Sequence, residues 1–579
     1  MKRSNIYKGL GFLAATAAGL TATPAAAMEV ATGGGWSVRL DSELSTGFQV
    51  RAEDRDCRII SLDNGGCAET AGRINSLIDP ATGAPYNPFA VPDFNFMQVD
   101  SGNLNYDKGD IVSWTVKGTH DLAVKGPDDW GGLVRVNWAS DFLAEENANF
   151  PLPGRAQDSL DFDVTLLDAW VSKGFNVGNQ TALVRVGNQV VSWGEDIFIP
   201  GGINAINAID LRKWHTPGTA LKEIFVPAPM VYINTGVTDD LSAEGYYQWG
   251  WNSFKFDPVG TYFSAVDILG PGQLPAFVPS SVIAAPPFTV GDEHALLINQ
   301  IPTPRGTDRE PDDQGQFGLT LRYQLGDAEL GAHYVRYHDK LPFISFTMAG
   351  GIPVAYNADY GQDRDLFGVS GNMPVSTAFG DIVFGAELSY RPKDSVAIDP
   401  TIQAATSPYF VNNGYARGFT EERKWQAHLT ANHLFSPDSP IGQFQERIGG
   451  TDGWVLAELA FVNYPGLDRS GATPYLLNDY SMPDEFSMGY VVEIGTTFPH
   501  IMGTAVNFTP YIDFLHDVHG TSPNALPFVE DRKSLALNLG FNYKGFIRAN
   551  VVYGAYWGGG ANNTLQDRDF VGASVTYSF

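Results

Sequence analysis

The chain of 579 residues is poor in cysteine, in basic side chains and in long apolar runs. Its two cysteines exclude a small domain held together by several disulfides. Because 37 Lys and Arg stand against 65 Asp and Glu, for a formal charge of −28, few basic groups could neutralise phosphates and a nucleic-acid binder is disfavoured. Beyond its first thirty residues the chain has no run of about 18 apolar residues, the length of a spanning helix, which disfavours a polytopic helical membrane protein.

What the chain does contain is glycine and aromatic residues, with 63 glycines and 12% Phe, Trp and Tyr. Charged residues make up only 18%, below the roughly 25% of an ordinary soluble domain. An acidic chain of this kind, without spanning helices, leaves two main classes of protein. One is a large soluble β-protein, and the other is a transmembrane β-barrel.

Residues 1–27 have the pattern of a secretory signal peptide: basic at the start, apolar in the middle and ending in alanines. Cleavage is expected after Ala27, and 28–579 would form the mature domain, exported through the Sec pathway. A membrane-anchoring helix is the alternative, although the apolar stretch is short for a span. In the oxidising compartment beyond, Cys57 and Cys67 are expected to form one disulfide, the alternative being two unpaired thiols.

The carboxyl-terminal residues 570–579 alternate between apolar and small polar side chains, which is the two-residue period of a β-strand. The same period recurs along 319–325, 382–390, 535–543 and 547–555. A soluble β-sandwich would alternate as well, so the period by itself does not separate the two classes.

Three further features favour the membrane barrel. Aromatic residues such as Tyr390 and Tyr543 stand at the ends of predicted strands, where a membrane interface favours them. The chain ends on Phe579, and a terminal aromatic in an alternating last strand resembles the usual ending of bacterial outer-membrane proteins. Short connectors such as 237–240 alternate with long ones such as 51–105, as the turns and loops of a barrel do.

The fold class predicted from these patterns is all-β, a single closed antiparallel transmembrane β-barrel with long extracellular loops. About eighteen strands are expected, with sixteen as the fallback, and a barrel of this width would enclose a water-accessible lumen. The predicted strands lie near 36–50, 110–122, 131–139, 164–172, 181–187, 228–236, 241–252, 317–325, 328–338, 364–370, 380–391, 422–435, 452–463, 487–497, 504–515, 534–544, 546–556 and 569–579.

Charged residues on the polar face of these strands are predicted to line the pore. If their depths match, basic and acidic residues would form two opposing walls and a transverse field that tunes selectivity. The alternative is that they pair locally and only hydrate the lumen. The basic candidates are Arg39, Lys117, Arg135, Arg185, Arg322 and Arg548, and the acidic candidates are Asp168, Glu244, Asp381, Glu387, Glu458, Glu493 and Asp513.

The most specific sequence motif lies in residues 185–227. It contains the block Gly187-Asn188-Gln189-Val190-Val191-Ser192-Trp193-Gly194-Glu195, then Gly202-Ile203-Asn204, then Pro217-Gly218, Lys222-Glu223 and Pro227. This text resembles the proteobacterial outer-membrane family catalogued as domain of unknown function number thirteen-oh-two. The resemblance covers nearly all of the mature chain and implies an outer-membrane barrel, often placed in operons for handling hydrophobic compounds or beside export pumps. It supplies no established catalytic residues.

This third long loop is too apolar to extend into water. We therefore predict that it folds inward and narrows the pore, with packing against neighbouring outer loops as the alternative. The constriction is assigned to Trp193, Gly194, Glu195, Asp196, Gly201, Gly202, Asn204 and Asp210.

The function that the sequence favours is a porin-like channel or passive transporter for small hydrophobic or amphipathic solutes. Neither catalytic residues, metal ligands nor cofactors are assigned, because no histidine or glycine motif has known mechanics. The alternatives are an embedded hydrolase, which would need a Ser/His/acid constellation, and a receptor or adhesin working through loops such as 253–316. The expected partners are outer-membrane lipid and lipopolysaccharide, a small-molecule solute, and periplasmic or efflux-pump components; nucleic acid is not expected.

Overall fold

The computed structural model describes residues 28–32, 34–56, 59–60, 101–279, 300–402, 407–479 and 481–579. The predicted signal peptide, and Cys57 and Cys67 with their predicted disulfide, lie outside the described residues.

Eighteen strands form one closed antiparallel ring, in which each strand pairs with its neighbours in the sequence. The ring closes where β1 pairs with β18, from Glu43 opposite Ser578 to Arg51 opposite Phe570. This confirms the predicted fold class and strand number. The strands are β1 (Trp36–Arg51), β2 (Ile111–Lys125), β3 (Trp130–Asp141), β4 (Asp163–Val177), β5 (Gln180–Gln189), β6 (Ala228–Gly236), β7 (Leu241–Gln248), β8 (Gln316–Leu325), β9 (Ala328–Tyr337), β10 (Arg364–Thr377), β11 (Gly380–Ala397), β12 (Phe419–Leu434), β13 (Thr451–Asn463), β14 (Phe486–Thr497), β15 (Val506–His519), β16 (Lys533–Tyr543), β17 (Ile547–Trp557) and β18 (Phe570–Ser578).

Alternation along each strand separates an apolar outside from a polar inside. On β8, Leu319 and Leu321 are 52% and 42% exposed, whereas Thr320 between them is 0% exposed. A soluble protein would bury the leucines. Here the large apolar side chains point out of the ring, as they must where lipid is the solvent, and each strand of the wall is hydrogen-bonded to a strand on either side.

Connections differ in length at the two ends of the barrel. The turns at 126–129, 178–179 and 544–546 are short, whereas the connections at the opposite end are long and carry most of the helices. The helices are α1 (Ser101–Leu104), α2 (Gly154–Asp161), α3 (Leu211–His215), α4 (Leu221–Ile224) and α5 (Pro440–Arg447), the last of which lies between β12 and β13 at the short-turn end. Among the described residues, none of the helices combines the length and the apolar character needed to cross a membrane.

Smaller elements complete the structure. Met28–Thr32 pairs with β1, and short sheets in the long connections are formed by Ala208–Ile209 with Phe225–Val226, by Ala276–Pro279 with Gln300–Thr303, and by Phe343–Ala349 with Ile352–Asp359 and Gly414–Ala416. Single 3-10 turns occur at Pro400–Ile402, Ile501–Gly503, Pro523–Ala525 and Gly560–Asn562.

Candidate functional site

We call residues 190–227, which connect β5 to β6, the inner loop. Trp193 is 1% exposed, and its Nε1 donates a hydrogen bond to Glu244 Oε2 on β7 at 2.8 Å. Ile203 and Ile206 are buried with Trp193 in one apolar cluster that includes residues of β6, β7, β9 and β10. The apolar side chains of this loop therefore pack against the inner face of the barrel wall.

Two glutamates on β11 and β13, across the barrel from β5, accept hydrogen bonds from backbone N–H groups of the inner loop. Glu387 on β11 accepts hydrogen bonds from Glu195 at 2.6 Å and from Ile203 at 2.9 Å. Glu458 on β13 accepts three, through one oxygen, from the consecutive residues 197–199 at 3.2, 2.5 and 2.9 Å. Since β13 lies almost opposite β5 in the ring, the loop crosses the interior of the barrel.

Glycines in the inner loop allow this close approach to Glu387. Gly194 has φ +95° and Gly201 has φ +101°, which a residue with a side chain rarely adopts. A Cβ on Gly194 would lie 2.3 Å from Glu387 Oε2, and one on Gly202 would lie 2.0 Å from Glu387 Oε1. The absence of a side chain at Gly194 and Gly202 is thus explained by the carboxylate that the loop surrounds.

Burial raises the pKa of two carboxyl groups in the inner loop. Burial, assisted by the negative charge of Glu387, raises the pKa of Asp196 to about 7. Burial also raises the pKa of Glu195. Asn204, another predicted constriction residue, accepts a hydrogen bond at 3.2 Å from Asn207 Nδ2 and so braces the loop internally.

The second half of the inner loop is attached to the opposite wall. Glu223 on α4 pairs with Lys117 on β2 at 2.5 Å and accepts a hydrogen bond from Thr119 at 2.9 Å. Asp210 binds Arg212 through two hydrogen bonds of 3.1 and 3.0 Å. Asp210 therefore lies at the α3 end of the loop, apart from the contacts that Glu195 and Asp196 make near β11 and β13.

Two inward-facing side chains contribute to the site although they were not assigned to it from the sequence. Arg391 on β11 donates hydrogen bonds to the carbonyl oxygens of Gly201 and Gly202. His428 on β12 contacts Glu458 Oε1 through Nδ1 at 2.6 Å. Both residues have the inward parity of their strands, so the alternation could have placed them in the lumen, but only the folded loop gives them partners.

Five of the six predicted basic pore residues form local ion pairs. Arg185 is the exception: its guanidinium lies 4.5 Å from the ring centre of Trp170 and 5.6 Å from that of Tyr232. The pairs are Arg39 with Asp41 (2.7 Å), Lys117 with Glu223 (2.5 Å), Arg135 with Asp121 and Asp168 (both 2.7 Å), Arg322 with Glu244 (3.2 Å) and Glu329 (2.6 Å), and Arg548 with Glu43 (2.8 Å). Each of these five cations therefore has a carboxylate partner among the described residues.

The acidic residues behave differently along β11–β15. In the part of the chain that the structure describes, five of the predicted acidic residues make no ion pair with lysine or arginine. Glu387 and Glu458 instead accept N–H groups of the inner loop, Glu493 accepts a hydrogen bond from Trp454, and Asp513 accepts one from Asn538. The fifth residue is Asp381, which accepts a hydrogen bond from Ser376 at 2.7 Å.

A second long connection also reaches the lumen, which the sequence did not predict. In the connection after β7, Tyr262 donates a hydrogen bond to the carbonyl of Asp569 at 3.0 Å, and Phe263 packs edge-on against Phe570 at 5.6 Å. Its apolar side chains are the same kind of signal as the one that predicts an inward fold for the inner loop. The described residues contain no cluster of three or more His, Cys, Asp or Glu suited to a metal ion.

Comparison with known proteins gives one family match. The profile of the family described as "Protein of unknown function (DUF1302)" matches residues 8–579. No curated protein sequence matches the chain. Among solved structures, the chain is similar to OccAB3 of Acinetobacter baumannii (11% identity, TM-score 0.39, covering 94% of this chain and 99% of that one). It is also similar to OccAB4 of the same organism (10%, 0.40, 94% and 98%) and to a BenF-like porin from Pseudomonas fluorescens Pf-5 (10%, 0.39, 94% and 98%).

Proposed function

The chain belongs to the family described as protein of unknown function (DUF1302), and from this premise we propose that it is a porin-like channel or passive transporter for small hydrophobic or amphipathic solutes. The observation that carries the proposal is the closed ring of eighteen strands crossed by the inner loop. Side chains of the wall cannot fill a barrel this wide, so a lumen remains between wall and loop. The inner loop is the element that narrows it.

The inner face of the wall between β4 and β6 supports the proposal that the solute is amphipathic. Trp170 and Tyr232 flank Arg185 on the inner face, so two aromatic rings and a guanidinium are presented together. The guanidinium of Arg185 has no ion pair within the described residues and is held by ring contacts. Such a surface suits a solute with an apolar body and a polar or acidic group.

The outer membrane is the proposed location. The apolar outer face of the barrel requires lipid, and the predicted signal peptide at 1–27 would direct the chain out of the cytoplasm through the Sec pathway. We propose outer-membrane lipid and lipopolysaccharide as its surroundings. We propose periplasmic or efflux-pump components as its protein partners. Binding of such components to the short-turn end of the barrel would support this proposal.

Reconstitution of the mature chain tests the function. In planar bilayers we expect stepwise ion currents, and in liposomes we expect benzoate to permeate faster than glucose of similar size. An absence of both current steps and solute uptake would refute the channel. A sealed lumen with ester hydrolysis would favour an embedded hydrolase.

Removal of residues 195–210 tests the constriction. The deletion takes away the segment that contacts Glu387 and Glu458, so we expect a larger single-channel conductance. Heat-dependent electrophoretic mobility serves as the control that the barrel has folded. Unaltered conductance in a folded deletion variant would show that the inner loop does not limit the pore.

A further inference from the structure

A small cavity lies at the long-loop end of the barrel, away from Glu387 and Glu458. Its volume is about 100 Å³, and it is lined by residues of β1–β4, of α2 and α3, and of the connection after β7. Since a water molecule takes about 30 Å³ in the liquid, the cavity has room for a few waters or for one small ion or molecule. Arg212, Lys213 and His215 on α3 contribute to its lining.

Lys213 is the unusual residue of this lining. The residue is 7% exposed, and its Nζ has no hydrogen-bond partner among the described residues. Burial lowers the pKa of Lys213 to about 8, which still leaves the ammonium charged at neutral pH. The charges of Asp210 and Asp163 partly offset the cost of burying this ammonium, but its N–H groups have lost the hydrogen bonds of water and gained none in the described residues.

The acidic side chains around the cavity are already occupied by other donors. Asp141 accepts backbone N–H groups of Trp114, Leu143 and Ala144 at 3.2, 3.1 and 3.0 Å. Asp257 is bound by His215 Nδ1 at 3.0 Å. These carboxylates therefore have donors without Lys213.

The guanidinium of Arg212, next to Lys213 in the sequence, also has acidic partners. Arg212 binds Asp210 at 3.0 Å and lies 3.5 Å from Asp163. Asp163 also accepts a hydrogen bond from Thr165 at 3.0 Å. Of the charged groups that line the cavity, Lys213 is thus the one for which the described part of the chain supplies no hydrogen-bond partner.

We propose that this cavity binds a small oxyanion, a carboxylate or a phosphate, with the ammonium of Lys213 as its main partner. The size of the cavity limits the bound group to a few heavy atoms. The oxyanion supplies the hydrogen-bond acceptors that Lys213 loses with its hydration on burial. The site lies at the α3 end of the inner loop, apart from the loop contacts with Glu387 and Glu458, and its existence does not depend on whether the barrel conducts.

Equilibrium dialysis of the full mature chain in detergent tests the proposal, with labelled acetate and labelled inorganic phosphate as separate probes at constant ionic strength. We expect saturable binding of one equivalent of at least one probe. K213M should weaken it at least tenfold, whereas K393M, at a side chain that is 65% exposed, should leave it unchanged. Acetate binding alone would identify a carboxylate site, and phosphate binding alone a phosphate site.

A measurement on the unmodified chain keeps the test independent of how the variant folds. Binding should fall as the pH is raised from 7 to 10, because the Lys213 ammonium then loses its proton. The proposal is overturned if neither anion binds saturably, if K213M binds as the unmodified chain does, or if binding is unchanged across this pH range.

Discussion

The hydrogen bonds to Glu458 give a quantitative prediction for the inner loop. In the variant E458Q the amide oxygen can still accept the N–H groups of residues 197–199, but without the negative charge. A hydrogen bond to a charged group contributes about 1.5–3 kcal/mol and a neutral one about 0.5–1.5 kcal/mol, so each of the three bonds loses about 1 kcal/mol. The loop is then held more weakly by about 3 kcal/mol, which corresponds to roughly a hundredfold larger population of the released loop.

Hydrogen exchange of the amides of Ile197, Phe198 and Ile199 measures this population directly. We expect these amides to exchange about a hundredfold faster in E458Q, because exchange proceeds from the released state. The matched control is E493Q, since Glu493 is an inward carboxylate of the adjacent strand that binds Trp454 and not the loop. Equal exchange in E458Q and E493Q would refute the assignment of Glu458 as the residue that holds the loop.

Three further predictions concern the same region. Burial raises the pKa of Asp196 to about 7. The protonated carboxyl therefore stabilises the packed loop fully below the ordinary Asp pKa near 4, and this stability is lost as the pH rises from 4 through 7. Conductance should therefore increase between pH 4 and pH 7 and level off above pH 7, and D196N should remove the increase; a variant with the same pH profile would contradict this. In G202A the new Cβ would lie 2.0 Å from a glutamate oxygen on β11. We therefore expect the free energy of unfolding, measured by thermal unfolding, to fall by about 1–3 kcal/mol. G154A is the neutral control, because a Cβ at Gly154 meets nothing within 4 Å. The double variant E493Q/D513N should shift the reversal potential in a salt gradient toward anions, and an unchanged potential would show that these two carboxylates do not set ion preference.

Strand positions could be predicted from the sequence because each strand carries its own evidence. An outward leucine such as Leu319 beside an inward Thr320 is required wherever one face meets lipid and the other meets the lumen, so alternation reports a strand without reference to its neighbours. For a similar reason the sequence predicts an inward fold of the inner loop. Trp193 and Ile203 are too apolar for water, and the barrel interior is where the structure buries them.

The pairing of charges could not be predicted in the same way, because it depends on depth along the barrel axis. Arg135 meets Asp121 since the two are opposite each other in the β2–β3 register. Arg548 meets Glu43 only because the ring closes between β1 and β18. Parity assigns a side chain to the inside or the outside, whereas partners within the lumen follow from register and closure, which are properties of the whole ring.

The hydrogen bonds that hold the inner loop to the wall link the width of the pore to the charge of its lining. The inner loop is held to β11 and β13 by N–H groups that satisfy Glu387 and Glu458, and to β2 by the pair between Glu223 and Lys117. When the loop leaves the far wall, two carboxylates lose these donors and no lysine or arginine among the described residues replaces them. Release of the loop would therefore widen the lumen and, in the same step, expose an acidic wall. For this reason a wider pore and a stronger preference for cations should appear together, since both follow from the same set of hydrogen bonds.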